Sequence, residues 1–386
     1  MLRTERGVVC FLGLVSLTMT PAVLGQEPIS KADTESSIKQ GGDTKIRTHV
    51  SLVTAPVTVL DGKREPVLGL AAKDFQITDN GVTQEIVHFD LGNAPLSSVI
   101  LVETSARVEP LLPDMRKSGT VFSEAVIGPE DEAAVLSFND AVNKLADFTT
   151  DHEAIQETIN DLKVGTQGSK LFDAMAIGVQ MLNDRQRSQP TADLPDRRRI
   201  MLIMSEATDA GSEERLARVL RRAQLSNITI YSVGLSTTLA QLEAPSTDPR
   251  QRTRLPGTFL QPSMPGTVQT PSTEAIRYGY GNLMNLIVWT GRNIKDLVRD
   301  HALEVAAAAT GGQHIATSSG QHVATSNREL IEKAVDEIGG ELHSQYSLTY
   351  KPTENREGFH TIRVKVYRPD LKVRSRPGYY IAPPEG

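Results

Sequence analysis

Ile200-Met201-Leu202-Ile203-Met204 is an unbroken apolar run of strand length. A strand with one wet face alternates apolar and polar residues, so a continuous run belongs to a sheet covered on both sides. Further strands are expected within Leu96-Ser97-Ser98-Val99-Ile100-Leu101-Val102 and at Ala133-Ala134-Val135-Leu136-Ser137-Phe138 and Ile228-Thr229-Ile230-Tyr231-Ser232-Val233. Residues 142–148 are expected to pair with the 133–138 strand. Helical spacing fills 151–162, 171–182 and 212–224, the last with a basic outer face. It returns at 294–309, where Gly311-Gly312 follows as a C-cap would. Ser326-Asn327-Arg328-Glu329 has the form of a capping box opening a last helix to Ile338. This alternation predicts a doubly wound α/β sheet.

The ends of the chain follow a different rhythm. Val50, Leu52, Val57 and Val59 are spaced for strands, and Asp61-Gly62 and Asp79-Asn80-Gly81 mark turns. Near the other end, Ser344-Gln345-Tyr346-Ser347-Leu348-Thr349-Tyr350 alternates, 359–367 alternates again, and 374–381 adds a last strand ending in Gly378-Tyr379-Tyr380. Neither set has helices between its strands. Each is small alone, and together they are expected to bury one core. The predicted organisation is therefore a β-sandwich built from 45–93 and 343–382, with an α/β domain at 95–340 inserted in it.

Three segments stand outside this scheme. Arg3 and Arg6 precede an apolar stretch at 8–19, and small residues follow to Gly25. That pattern predicts a secretory signal over 1–25, cleaved before Gln26; the stretch is too short to serve as a bilayer span. Residues 26–44 are polar and read as a disordered linker. Residues 237–280, rich in Pro, Thr, Gln and Gly, read as a flexible insertion. The one cysteine, Cys10, lies inside the signal. The mature chain then has neither disulfides nor thiolate metal ligands. An exported location, periplasmic or secreted from a bacterial envelope, is the expectation.

With 39% hydrophobic and 23% charged residues the chain is ordinary for a soluble protein, and its net charge of -6 offers no field for nucleic acid. Arg197-Arg198-Arg199 is expected to be a solvated strand entry. Gly312-Gln313-His314-Ile315-Ala316-Thr317 is nearly copied at Gly320-Gln321-His322-Val323-Ala324-Thr325. A copied edge strand is the favoured reading. A metal shared by His314 and His322 lacks a third ligand.

Three blocks together resemble the von Willebrand factor A-related family of acidobacterial type. They are Pro66-Val67-Leu68-Gly69-Leu70 with Asp74-Phe75 and Asp79-Asn80-Gly81; the α/β segment; and Gln345-Tyr346-Ser347-Leu348-Thr349-Tyr350-Lys351-Pro352 with Arg376-Pro377-Gly378-Tyr379-Tyr380. The resemblance implies export and a Rossmann-like A-type domain, and it supplies no known activity. It also implies a metal-ion-dependent adhesion site, whose first loop reads Asp-x-Ser-x-Ser. Here that loop falls on Glu103, Ser105 and Arg107. The threonine position falls on Ser169, and the last aspartate, from a Ser-Asp-Gly turn, falls on Glu206 in Ser205-Glu206-Ala207. The motif is degenerate.

Each Glu reaches roughly 1.5 Å further than Asp, and Mg²⁺ demands near-ideal octahedral geometry. Arg107 brings a positive charge that repels a divalent ion. Two readings follow: an arginine-closed site in which Arg107 pairs with Glu103 and Glu206, or a surviving Mg²⁺ or Ca²⁺ site on Glu103, Ser105, Ser169 and Glu206. The first is favoured, so no cofactor is expected. Gly-x-Ser-x-Gly, His-Glu-x-x-His and Walker A patterns are absent. The expected function is non-enzymatic: an adhesion-like protein that binds a protein partner through the loops at Glu103, Ser105, Arg107, Ser169 and Glu206. The alternative is a structural envelope component that uses the A domain as a scaffold.

Overall fold

The computed structural model describes residues 52–63, 65–92, 94–188, 197–236, 301–317, 327–354 and 356–381. The expected signal, linker, 237–280 insertion, Ser326 and second repeat copy lie outside the described residues. The chain opens with β1 (Val53–Leu60), β2 (Phe75–Asp79), β3 (Val82–Gln84) and β4 (Ile86–Leu91). The α/β part follows as β5 (Leu96–Glu103), α1 (Leu112–Lys117), α2 (Gly119–Val126), β6 (Glu132–Phe138), β7 (Val142–Thr149), α3 (His152–Asn160) and α4 (Leu171–Ser188). It continues with β8 (Arg198–Ser205), α5 (Leu216–Leu225), β9 (Ile228–Gly234), α6 (Ala302–Thr310), β10 (His314–Ala316) and α7 (Asn327–Ser344). The chain closes with β11 (Tyr346–Tyr350), β12 (Gly358–Val366), β13 (Lys372–Ser375) and β14 (Gly378–Ile381).

The six-stranded sheet runs β10-β9-β8-β5-β6-β7. Its strands are parallel except β7, which pairs antiparallel with β6. Side chains alternate between the faces of a strand, so each apolar run divides between two cores. Ile100, Val102, Leu202 and Met204 meet Leu112, Met115, Phe122 and Ile338 from α1, α2 and α7. Val99, Leu101, Met201 and Ile203 meet Met175, Val219 and Leu303 from α4, α5 and α6. This two-sided cover is what the unbroken run at Ile200–Met204 requires. Among the described residues, no helix is long and apolar enough to cross a membrane.

Two antiparallel sheets, β13-β1-β11-β4 and β14-β12-β2-β3, draw strands from both ends of the chain. Val57, Val59, Phe75, Ile77, Tyr346, Leu348 and Ile362 share one core between them. At the edge of that core Asp79 accepts hydrogen bonds from Tyr350 Oη (3.0 Å) and Tyr379 Oη (2.7 Å), and His360 Nδ1 lies 3.0 Å from it. The described residues form one compact unit.

Three local expectations shift. The helix expected from 212 starts at Leu216, because Asp173 accepts the amides of Glu213 and Glu214 and ties that turn to α4. The last helix does not stop at Ile338 but runs through Gly339 and Gly340 to Ser344. A Cβ on Gly339 would lie 2.2 Å from the Ala125 carbonyl oxygen, so this glycine lets α7 lie against α2 instead of ending a helix. The arginine run is not simply solvated. Arg198 donates to the Leu342 carbonyl at 2.9 Å and to Gln345 Oε1 at 2.7 Å, while Arg197 donates to the Leu96 carbonyl at 2.7 Å. The first repeat copy forms β10, an edge strand, with His314 Nδ1 2.9 Å from Ser232 Oγ.

Candidate functional site

The strand order reverses between β5 and β8, and in open α/β sheets the crevice beyond such a point takes ligands. Glu103 ends β5 and Ser205 ends β8. Glu103 is fully buried at 0% exposure, which is costly for a carboxylate unless its oxygens are bonded. They are. Ser105 Oγ donates to Oε1 at 2.6 Å. Ser205 Oγ donates to Oε2 at 2.6 Å, and the Glu206 amide donates to the same oxygen at 2.9 Å. Ser205 Oγ in turn accepts the Ala207 amide at 3.0 Å. The longer acid thus reaches across the switch point and stitches the β5 loop to the β8 loop.

Neighbouring loops are tied down by backbone bonds. The Thr104 amide donates to the Phe138 carbonyl, the Gly165 amide to the Thr104 carbonyl, and the Ala106 amide to the Thr166 carbonyl. Ser169 exchanges two backbone bonds with Ala210, and its buried hydroxyl has no partner among the described residues. Asp209 accepts from the Phe172 amide at 3.1 Å and Ser212 Oγ at 2.6 Å, so it caps the start of α4.

The arginine-closed reading is corrected. Arg107 is exposed, and among the described residues it makes no hydrogen bond or ion pair. Bringing a guanidinium to a fully buried carboxylate would strip its water. Two hydroxyls and an amide already satisfy Glu103 without that cost. Of the five candidate residues, Glu103, Ser105 and Ser169 are fully buried, so in this conformation none can meet a partner directly. Arg107 is exposed and Glu206 half-buried. Ser205 was not among the candidates. Its signal was the first position of the Ser-Glu-Ala turn, within reach of a lengthened acid.

The donors do not fit an octahedral divalent ion, which needs six oxygens at about 2.0–2.1 Å. Both Glu103 oxygens already accept protein donors. Arg107 offers no oxygen in place of the family's serine. Among the described residues, no three His, Cys, Asp or Glu side chains converge as metal ligands.

Ala207 adopts φ 71° in the turn below Ser205. A side chain at positive φ stores strain that glycine does not. Ala207→Gly is expected to raise the unfolding free energy by about 0.5–1 kcal/mol. The readout is a higher urea midpoint at unchanged slope; a lower midpoint would show that the turn is unstrained.

Residues 99–207 match the family model of the von Willebrand factor type A domain. No curated protein matches the chain. Among solved structures, an aerotolerance-related membrane protein from Bacteroides fragilis shares 13% identity over 63% of this chain and 98% of its own, at a TM-score of 0.35. The SpRpn10 VWA domain shares 15% over 37% and 76%, at a TM-score of 0.29. The BatB protein from Bacteroides thetaiotaomicron shares 14% over 36% of this chain, at a TM-score of 0.28, and the chain spans 66% of BatB. TM-scores this low carry no weight for function.

Proposed function

We propose, from the premise that this chain carries a von Willebrand factor type A domain, that it is an exported, non-enzymatic binding protein that needs no divalent cation. Its partner is a protein that presents an acidic side chain to the rim of the switch point. The observation that carries this reading is the internal closure of Glu103 by Ser105, Ser205 and the Glu206 amide, with Arg107 left exposed beside it. A metal in such a site offers a cation to a partner's carboxylate. Here the guanidinium of Arg107 offers that charge, in a fork that grips a carboxylate with two bonds. Export rests on the signal pattern of residues 1–25.

The burial of Glu103, Ser105 and Ser169 favours a second reading, in which the loops are only braced and the domain is a scaffold of the envelope. Cross-linking of the mature protein in envelope extract separates the two. Under the binding reading, Arg107→Glu reduces recovery of the wild-type partner by about tenfold, the usual scale for one charge-paired contact. Equal recovery by both proteins would move the conclusion to the scaffold. The recovered protein is expected to begin at Gln26 by mass spectrometry; a chain retaining residues 1–25 would refute signal cleavage.

A further inference from the structure

At the end of the sheet opposite Glu103, a cavity of about 710 Å³ lies between the first residues of β8 and β9 and the sandwich strands β1, β4 and β11. That volume falls within the range of about 300–1,000 Å³ typical of small-molecule sites. Its wall is cationic: Arg197, Arg198, Arg199 and Arg376 line it, and Asp90 is the one lining carboxylate among the described residues. Arg197 lies 3.6 Å from Glu132 and is balanced there.

Arg376 is the informative member. It stands between β13 and β14 and is 3% exposed. Its Nη1 donates to Asn227 Oδ1 at 2.7 Å, while Nε and Nη2 are buried and, among the described residues, meet no acceptor. Those two nitrogens share one edge of the guanidinium, the edge that binds an oxyanion through two parallel bonds. Burial pulls Arg376 down to about 10, against the opposing pull of Tyr350, Tyr379 and Asp79, so it stays charged at neutral pH. A buried charge with orphaned donors is costly to the fold. Arg198, which also lines the cavity, donates among the described residues to the neutral oxygens of Leu342 and Gln345.

We propose that this cavity binds a small molecule bearing an oxyanion, a carboxylate or a phosphate, held by the open edge of Arg376 with Arg198 as the second charge. Nε and Nη2 are shielded from solvent in this structure, so the oxyanion reaches them as the guanidinium rotates toward the cavity and gives up its Asn227 bond. The site is independent of the Glu103 loops, and so is its test.

The full mature chain is titrated with inorganic phosphate and, separately, with citrate. Calorimetry and thermal unfolding are run at constant ionic strength, with chloride as the control. Saturable binding of at least one anion is expected, and which one binds distinguishes a phosphate ligand from a carboxylate. Arg376→Lys keeps the charge and loses the fork, so it should weaken binding about tenfold. Asp90→Asn, on a partly exposed strand, should tighten it about threefold by removing a like charge. Asp90→Asn keeps the proposal decidable if Arg376→Lys fails to fold. No saturable binding beyond chloride, equal affinity in a folded Arg376→Lys, or no change in Asp90→Asn would each overturn it.

Discussion

Glu103→Ala is expected to destabilise the protein by about 3–5 kcal/mol, from the space its buried side chain leaves and the donors it strands. Three donors lose their acceptor at once: Ser105 Oγ, Ser205 Oγ and the Glu206 amide. The hydroxyls can turn, but the amide is fixed by the backbone and, part-buried, loses its acceptor. Glu103→Gln keeps the shape and should cost less, about 1–3 kcal/mol, because its NH₂ must face one of those donors. Urea unfolding measures both. The same samples test the absence of a cation. Ligand binding to the native state raises stability with concentration, so wild-type midpoints should be equal in EDTA, Mg²⁺, Ca²⁺ and Mn²⁺. A saturable rise with any one ion would restore the adhesion-site reading. A loss below about 1 kcal/mol in Glu103→Ala would mean that the carboxylate does not brace the two loops.

Much of the fold was legible because burial on both faces leaves a mark that needs no partner to be read. The runs at Leu96, Ala133, Ile200 and Ile228 became β5, β6, β8 and β9 with both cores where alternation puts them. What escaped depends on residues far apart in the chain. Nothing local says that Gly339 packs on Ala125 rather than ending a helix, or that Asp173 holds Glu213 and Glu214 out of one. The site was half-legible for the same reason. The lengthened acid at Glu103 was visible, but its bonding partner was not. Arg107 looked like a partner by charge, yet hydration keeps a surface guanidinium out of a dry site that two hydroxyls and an amide can fill. The cavity was wholly hidden: Arg198 and Arg376 are joined only by the packing of the sandwich on the sheet.

One carboxylate at that joint, Glu341 in the last turn of α7, gathers several of its polar contacts. It is 5% exposed and accepts from Thr58 Oγ1 on β1 at 2.9 Å and Tyr231 Oη on β9 at 3.0 Å, and it pairs with Arg374 on β13. Gln345 Nε2 reinforces it by donating to Thr58 Oγ1 and Tyr231 Oη. One side chain therefore binds a helix and a strand of the α/β part to two strands of the sandwich. Glu341→Ala should cost about 3 kcal/mol, the low end for a broken buried pair, since Arg374 is a quarter exposed and regains some water. Location distinguishes this loss from that of Glu103→Ala. Hydrogen exchange should quicken in β1, β11 and β13 while β5 and β8 keep their protection, because the joint fails before the parallel sheet. A double-mutant cycle with Arg374→Ala should return a coupling of about 1–3 kcal/mol. Coupling near zero, or exchange that quickens evenly through both parts, would show that Glu341 is incidental to the union of the two halves.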